Sequence, residues 1–228
     1  MRRPGDEMTN EELIESLIRG GYLKSPRIIE AFRRIDRRDF VPEELRARAY
    51  ANEPLPIGYG QTISQPLTVA FMLELLDPRP DQKILDVGAG SGWQTAMLGY
   101  ISARNVLALD APAINPKVIG IERIPELKAM AERNIAKYGF LEKGIVELVL
   151  GDATKGVPAD IAPVYGFDRI IAAASGNDVP LIWKRQLAVN GRIVAPIKDS
   201  IVVFEKHAND AFTKEEYYGF HFVPLVSD

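Results

Sequence analysis

The segment "KILDVGAGSGWQ", residues 83–94, constrains the fold more than any other part of the chain. A short apolar stretch leads into three glycines separated by single residues, and a helix-like segment, "GWQTAMLGYI", follows at once. A buried strand, a glycine turn and a helix in this order are typical of the first crossover of a doubly wound α/β sheet, where ligands bind. The chain has 228 residues, which is enough for one such domain with a sizeable core.

Short apolar strands alternate with helices through the rest of the chain. The predicted strands are 83–88, 117–122, 145–152, 167–174 and 191–197, and the predicted helices between them are 92–101, 125–139 and 179–187. This alternation predicts an α/β fold with a doubly wound, mostly parallel seven-stranded sheet. Two more strand candidates, 200–207 and 217–225, follow without an intervening helix. We therefore expect an antiparallel edge at the C-terminal side of the sheet.

Residues 1–78 predict an N-terminal helical portion, and residues 79–228 predict the α/β core of the same single domain. Helix starts are marked by capping residues or prolines: Thr9 with Glu12, Ser25 with Pro26, Pro42, and Ser64 or Gln65 with Pro66. Gly20 and Gly21 are expected to end the first helix. The stretch 53–60 is rich in proline and glycine and is interpreted as a loop.

Composition excludes several kinds of chemistry and partner. The chain contains no cysteine and only two histidines, so a thiolate nucleophile, a disulfide framework and a cysteine–zinc site are excluded, and we predict no metal site. The net charge of −3 argues against a nucleic-acid partner, and the basic run at 32–38 is interpreted as a solvated helix face. No stretch resembles a signal peptide or a membrane span of about 20 apolar residues, so we expect a cytoplasmic protein without a membrane partner.

The glycine spacing distinguishes between two cofactors. A dinucleotide site requires G-x-G-x-x-G, but Trp93 stands where the third glycine should be. An oxidoreductase of that class is therefore disfavoured. Asp86, Gly88, Gly90 and Gly92 form a D-x-G-x-G-x-G pattern that resembles the S-adenosyl-L-methionine (SAM) loop of Rossmann-like methyltransferases. A carboxylate at Asp86 would suit the cationic methionine end of that cofactor.

Two more acids follow successive predicted strands and suit the rest of the cofactor. Glu122 ends "VIGIE" and can accept hydrogen bonds from both ribose hydroxyls. It lies 34 positions after Gly88, whereas the dinucleotide pattern has about 20. The surplus, 102–117, is interpreted as an insertion or a long loop. Asp152 and Ala153, in "GDAT", follow the next strand and are placed to meet the adenine.

Several segments of the chain resemble one particular family of methyltransferases. The run "FVPEELRARAYANEPLPIGYGQTISQP" (40–66), together with "ILDVGAGSGWQTAML" and the later "VIGIERIPEL", "GDAT" and "QLAVNGRIVAPI", resembles protein-L-isoaspartate O-methyltransferases. The resemblance extends over nearly the whole chain from about Thr9. It implies methyl transfer from SAM to the free α-carboxylate of L-isoaspartyl residues in damaged peptides and proteins. The methyl ester then closes to a succinimide, and hydrolysis returns some normal aspartate.

The resemblance also implies roles for the segment around residue 63. The family's catalytic hydroxyl maps to Ser64, and Thr62 is assigned to catalysis beside it. Ile63 belongs to the loop that covers the methyl-transfer site and is assigned to the cofactor. We expect a monomer that acts on isoaspartyl-containing peptides and proteins.

The residue chemistry agrees with such a reaction independently of the resemblance. A carboxylate has an unperturbed pKa of about 4, so a carboxylate nucleophile is already ionised at neutral pH and needs no general base. Ser64 and Thr62 can orient it by donating hydrogen bonds without neutralising it. Positioning of this kind can contribute several kcal/mol to a rate.

Three departures from the family pattern leave alternatives open. The stretch 102–117 is longer than the usual connection, "SGNDVP" (175–180) replaces an Ala-Pro-rich turn, and "QPLTVAFM" lacks the histidine often found after its proline. One alternative is a SAM methyltransferase that acts on another small molecule or on RNA. Another is a non-catalytic protein that binds isoaspartyl residues.

Overall fold

The computed structural model describes residues 8–103, 118–220, 222 and 225. The helices are α1 (Asn10–Arg19), α2 (Pro26–Arg34), α3 (Pro66–Leu76), α4 (Trp93–Ser102), α5 (Pro125–Ala136) and α6 (Leu181–Gln186). The strands are β1 (Leu55–Gly58), β2 (Gln61–Ile63), β3 (Ile84–Val87), β4 (Val118–Glu122), β5 (Val146–Leu150), β6 (Phe167–Ala172), β7 (Leu187–Ile197), β8 (Ser200–Lys206) and β9 (Phe212–Tyr218). The expected insertion at 102–117 lies, beyond Ala103, outside the described residues. None of the helices in the described ranges is long and apolar enough to cross a membrane.

Within the described ranges, seven strands form one sheet in the order β5-β4-β3-β6-β7-β8-β9. The pairs among β3, β4, β5, β6 and β7 are parallel, and β8 and β9 pair antiparallel at one edge. The predicted mostly parallel sheet with an antiparallel C-terminal edge is therefore confirmed. Strand order reverses between β3 and β6, and the carboxyl ends of these two strands form the switch point at which ligands bind in such sheets.

The two faces of the sheet carry two separate apolar clusters, because successive side chains of a strand point to opposite faces. On one face, Ile84 and Val118 pack with residues of α1 to α5. On the other, Leu85 and Val87 pack with Trp183 of α6. Helices thus cover both faces, as the doubly wound prediction requires.

Two glycines let α4 lie unusually close to the sheet. A Cβ at Gly99 on α4 would come within 2.8 Å of Val146 Cγ2 on β5, and one at Gly120 on β4 would come within 3.1 Å of Thr95 Cγ2 on α4. Any larger side chain would push α4 away from β4 and β5. The close approach brings the start of α4, and the glycine loop before it, over the carboxyl ends of the strands.

The predicted helix starts of the N-terminal portion are confirmed, with one correction. Thr9 and Glu12 form the expected capping box, with Glu12 N donating to Thr9 Oγ1 at 3.2 Å and Thr9 N donating to Glu12 Oε2 at 2.8 Å. Gln65 occupies the cap position of α3, but neither it nor Ser64 caps with its side chain. Asn52 does so from a distant turn, because its Oδ1 accepts from Leu67 N at 3.0 Å.

Two predictions about strands are wrong. The stretch 53–60 is not all loop, since β1 and β2 form a two-stranded antiparallel hairpin apart from the main sheet. The alternating burial of Leu55 and Ile57, which is typical of a strand, was missed because the surrounding prolines and glycines predict a loop. The last strand is 212–218 rather than 217–225, because this edge strand is mostly exposed and its sequence, "FTKEEYY", lacks an apolar pattern.

The basic run at 32–38 is only partly a solvated face. Arg33, Arg34 and Arg38 are exposed, but Arg37 is 0% exposed. Its guanidinium donates hydrogen bonds to main-chain carbonyls that come from several turns. Helical periodicity could not reveal this, because the carbonyls lie up to 27 residues away in the sequence.

Candidate functional site

A cleft opens at the carboxyl ends of β3, β4, β5 and β6. Its lining residues come from these strand ends, from the start of α5 and from the β1–β2 hairpin: Gln61, Thr62, Val87, Gly88, Gly90, Ile121, Glu122, Arg123, Ile124, Leu127, Gly151, Ala153, Ala173, Ala174 and Leu225. The cleft therefore has a sheet wall and a hairpin wall.

Backbone hydrogen bonds hold the glycine loop, residues 88–92, onto the neighbouring strand β4. The amides of Gly88 and Ala89 donate to the carbonyl of Ile121 at 2.9 and 3.2 Å. Gly90 and Gly92 have φ values of +56° and +95°, in the left-handed region where a side chain is strained. The loop thus follows a path that brings backbone, rather than side chains, to the cleft.

Glu122 is the acid that the structure places in the cleft wall. Its carboxylate accepts hydrogen bonds from the amides of Gly90 (2.9 Å), Arg123 (2.8 Å) and Ile124 (3.0 Å). A carboxylate can accept about four hydrogen bonds, so these amides leave capacity for a ligand hydroxyl. Glu122 therefore keeps the acceptor capacity that the predicted ribose contact requires, and the same carboxylate also ties the glycine loop in place.

Asp86 lies beneath the loop and does not line the cleft. It is 0% exposed and accepts hydrogen bonds from Gln94 Nε2 at 2.7 Å and Thr95 Oγ1 at 2.5 Å. Burial raises its pKa to about 6, although these two hydrogen bonds favour the charged form. The carboxylate therefore links β3 to the first turn of α4 from behind the loop, and Gly92 likewise lies behind the cleft surface.

Asp152 and Ala153 are adjacent in sequence but have different places in the structure. The Asp152 carboxylate caps the short 3₁₀ turn that follows, because its Oδ1 accepts from Thr154 N at 2.9 Å and from Thr154 Oγ1 at 2.7 Å. Ala153 is the one of the pair that lines the cleft. Its carbonyl accepts from Trp183 Nε1 at 2.7 Å, which fixes this part of the wall to α6.

The hairpin forms the opposite wall. Gln61 and Thr62 line the cleft, and Ile57 on the paired strand packs against the glycine loop, since a Cβ on Gly90 would lie 3.4 Å from its Cδ1. Ile63 points into the core and is 5% exposed. Ser64 follows directly, is half-buried and does not line the cleft in this conformation. Its Cα can be at most about 7 Å from that of Thr62.

The structure thus brings half of the predicted site residues to the cleft surface. Those at the surface are Thr62, Gly88, Gly90, Glu122 and Ala153. Those behind or beside it are Ile63, Ser64, Asp86, Gly92 and Asp152. Across the described ranges, no group of three His, Asp or Glu side chains is arranged to hold a metal ion.

Several cleft residues were not predicted from the sequence. Ile124 and Leu127 form an apolar part of the wall just after Glu122, and their place at a strand–helix junction could have indicated this. Ala173, Ala174 and Leu225 close the far side, where the amide of Leu225 donates to the carbonyl of Ser175 at 2.7 Å. That contact joins distant parts of the chain, and no local pattern signals it.

Comparisons with known proteins agree with this site. Residues 8–228 match the family model "Protein-L-isoaspartate(D-aspartate) O-methyltransferase (PCMT)". A protein-L-isoaspartate O-methyltransferase from Methanopyrus kandleri is 42% identical over 224 residues, which cover 96% of this chain and 91% of the relative. Another, from Methanothrix thermoacetophila, is also 42% identical and covers 96% of this chain and 95% of its own length.

A solved structure extends the likeness to three dimensions. A crystal structure from Plasmodium falciparum, described as a protein-L-isoaspartate O-methyltransferase in complex with S-adenosyl-L-homocysteine, aligns with a TM-score of 0.81 and 27% identity. The alignment covers 97% of this chain and all of that one. The match over the full described fold, and not only over the glycine loop, excludes a merely generic likeness. This chain belongs to the protein-L-isoaspartate(D-aspartate) O-methyltransferase family.

Proposed function

We propose that this protein transfers the methyl group of SAM to the free α-carboxylate of L-isoaspartyl residues in damaged peptides and proteins. The observation that carries the proposal is the pairing of two walls in one cleft. Gly88, Gly90 and Glu122 suit the cofactor, and Gln61 and Thr62 of the hairpin face them. The hairpin segment is also the part of the sequence that most specifically resembles the family.

The cleft residues fit SAM chemically. Glu122 retains acceptor capacity for the ribose, while Ile124, Leu127 and Ala153 offer an apolar surface to the adenine. The glycine loop presents backbone to the methionine end, at the uncapped start of α4, where a helix favours a carboxylate. When bound, SAM supplies an electrophilic methyl group on a positively charged sulfur.

The hairpin wall would act on the substrate carboxylate. That group is ionised at neutral pH, so it requires orientation and not deprotonation. The hydroxyls of Ser64 and Thr62 form no hydrogen bond with any residue in the described part of the chain, so both can donate to a substrate. We propose that Ser64 aims the attacking oxygen, with Thr62 beside it, in a cleft from which the bound ligands exclude water.

The remaining predicted residues would support this arrangement from outside the cleft surface. Asp86 and Gly92 would fix the glycine loop, and Asp152 would fix the turn that presents Ala153. Ile63 would anchor the hairpin in the core, so that its neighbours Thr62 and Ser64 keep their places on either side.

The decisive experiment compares paired peptides that contain isoaspartate or normal aspartate at one position. The protein is incubated with methyl-labelled SAM, and base-labile methyl ester is counted on each peptide. We expect ester on the isoaspartyl peptide alone. Tight SAM binding without transfer to that peptide would contradict the proposal and favour the non-catalytic binding protein.

A substitution tests the role of Ser64 within that assay. Ser64→Ala should keep SAM affinity but reduce turnover by about 100-fold, as is usual when one positioned donor is lost. Ser16→Ala is the matched control, because the Ser16 hydroxyl bonds only within its own helix, to Leu13 O at 2.7 Å. Unchanged turnover in Ser64→Ala would remove Ser64 from the catalytic role.

We further propose that the protein acts as a cytoplasmic monomer without a nucleic-acid or membrane partner. The net charge of −3 and the absence of cysteine support this. Light scattering at micromolar concentration would test the monomer, and a dimer mass would contradict it.

A further inference from the structure

Arg37 is the largest fully buried charged side chain in the described part of the chain, and it lies next to the hairpin wall. Its Nη1 donates to the carbonyls of Ala49 (2.6 Å) and Ala51 (3.3 Å). Its Nη2 donates to those of Glu53 (3.0 Å) and Ser64 (3.1 Å). One side chain therefore holds the turn before β1 and the residue after β2.

Burying the charged side chain of Arg37 carries a desolvation cost. No carboxylate among the described residues lies within ion-pair distance of Arg37, and burial lowers its pKa to about 10. The guanidinium still carries its charge at neutral pH, and both the nearby Glu53 carboxylate and the four carbonyls favour the charged form. Its Nε–H has no acceptor in the described structure. An apolar side chain here would leave these four carbonyls without a donor, so the position requires a side chain that carries several N–H groups.

The guanidinium also contacts the start of α4, which follows the glycine loop. Its Cζ lies 5.3 Å from the ring centre of Trp93, the first residue of α4, which directly follows the glycine loop. The Trp93 indole in turn donates to Ile35 O at 3.2 Å, two residues before Arg37. Arg37 is therefore a rigid connection between the start of α4 and the Ser64 backbone.

We propose that Arg37 is a positioning residue for methyl transfer, which sets the place of Ser64 relative to the glycine loop. This rests on the proposed function, because it assigns Arg37 an effect only through Ser64. Only a planar fork with several fixed donors can reach four carbonyls at once; a lysine ammonium is a point charge that cannot. A displacement of about 1 Å at a reacting group can cost about 100-fold in rate.

The test is a double-mutant cycle of Arg37→Lys and Ser64→Ala, with SAM affinity, KM and kcat measured for each protein. Arg37→Lys alone should lower kcat on the isoaspartyl peptide by about 10- to 100-fold, with SAM affinity unchanged. When Arg37→Lys is combined with Ser64→Ala, kcat should fall by less than about 2-fold below that of Ser64→Ala alone. The effects of the two substitutions are not additive, because Arg37 acts through Ser64. Arg38→Lys, the exposed neighbour, is the control and should behave as the wild type.

The outcomes separate this inference from the proposed function. If Ser64→Ala keeps wild-type turnover, the catalytic role of Ser64 is wrong, and the positioning role of Arg37, which acts only through Ser64, is wrong as well. If Ser64→Ala is impaired but Arg37→Lys lowers kcat equally in both backgrounds, or leaves it unchanged, the positioning role of Arg37 is wrong. If Arg37→Lys does not fold, Arg37→Gln, which keeps one planar NH₂ donor without a charge, is put through the same cycle and decides by the same coupling.

Discussion

The two walls of the cleft are built by different means. The glycine loop wall lies in the main sheet, where Asp86 binds side chains eight and nine residues later and the amides of the loop bind the neighbouring strand β4. The hairpin wall lies outside that sheet, on strands of four and three residues. Its position depends on Arg37, which reaches Ser64 across 27 residues. The glycine loop wall thus belongs to the hydrogen-bond network of the main sheet, whereas side chains such as Arg37, Ile57 and Ile63 hold the hairpin wall to the rest of the fold.

A matched pair of glycine substitutions tests how rigid each wall is. Gly92 and Gly58 have nearly equal φ values, +95° and +92°, but a Cβ on Gly92 would lie 3.0 Å from Ile135, whereas one on Gly58 would meet nothing within 4 Å. Gly92→Ala should lower the free energy of unfolding by about 2–4 kcal/mol, from backbone strain and crowding, and should weaken SAM binding. Gly58→Ala should lower it by about 1–2 kcal/mol through strain alone. Urea unfolding measures the free energy of both variants. Equal losses would contradict the difference in crowding between the two positions.

A second prediction concerns the pH dependence of the glycine loop wall. The pKa of Asp86 is about 6 in the folded protein and about 4 when unfolded, so between these values the folded state binds a proton that the unfolded state does not. Stability from this group therefore rises as pH falls from 7 to 4, by about 2–3 kcal/mol in all. Asp86→Asn lacks this titration. The unfolding free energy of the wild type minus that of Asp86→Asn should therefore be about 2–3 kcal/mol larger at pH 4 than at pH 7. Parallel pH profiles of the two proteins would contradict the effect of burial on Asp86.

A third substitution tests the acid in the cleft wall. Glu122→Gln keeps the size of the side chain but replaces one acceptor oxygen by a donor that faces backbone amides. We expect SAM affinity to fall by about 10-fold, since hydrogen bonds to a charged group contribute about 1.5–3 kcal/mol. Calorimetric titration with SAM measures this affinity. Glu147→Gln, at a partly exposed position on β5 away from the cleft, is the control.

The smallest expected effect lies at the tip of the hairpin. Tyr59 and Gly60 form its two-residue turn with φ values of +54° and +71°, and the Tyr59 side chain is exposed. Asparagine tolerates this conformation better, so Tyr59→Asn should raise the free energy of unfolding by about 0.5–1 kcal/mol. Turnover should stay unchanged. A fall in turnover despite greater stability would show that the Tyr59 ring serves the substrate.

The contrast between the walls also explains which features could be predicted from the sequence. The glycine loop, the strand-end Glu122 and the Thr9 cap each have a local sequence pattern, and these patterns predicted the α/β fold and the cofactor correctly, although the hydrogen bond between Glu122 and the loop spans 32 residues. Asn52 capping α3 and Arg37 binding Ser64 depend on contacts between distant segments. The edge strand β9 was misplaced because its exposed side chains need no apolar alternation.

The link between Glu122 and the Gly90 amide has a consequence for how ligand binding can be observed. The carboxylate oxygen that accepts from Gly90 is also the one with a free acceptor position, since its other oxygen already accepts from two amides. A ligand that engages this oxygen with two hydroxyls must displace the Gly90 amide. We therefore expect the nuclear magnetic resonance shift and the hydrogen-exchange rate of the Gly90 amide to report how much of the cleft is occupied by such a ligand.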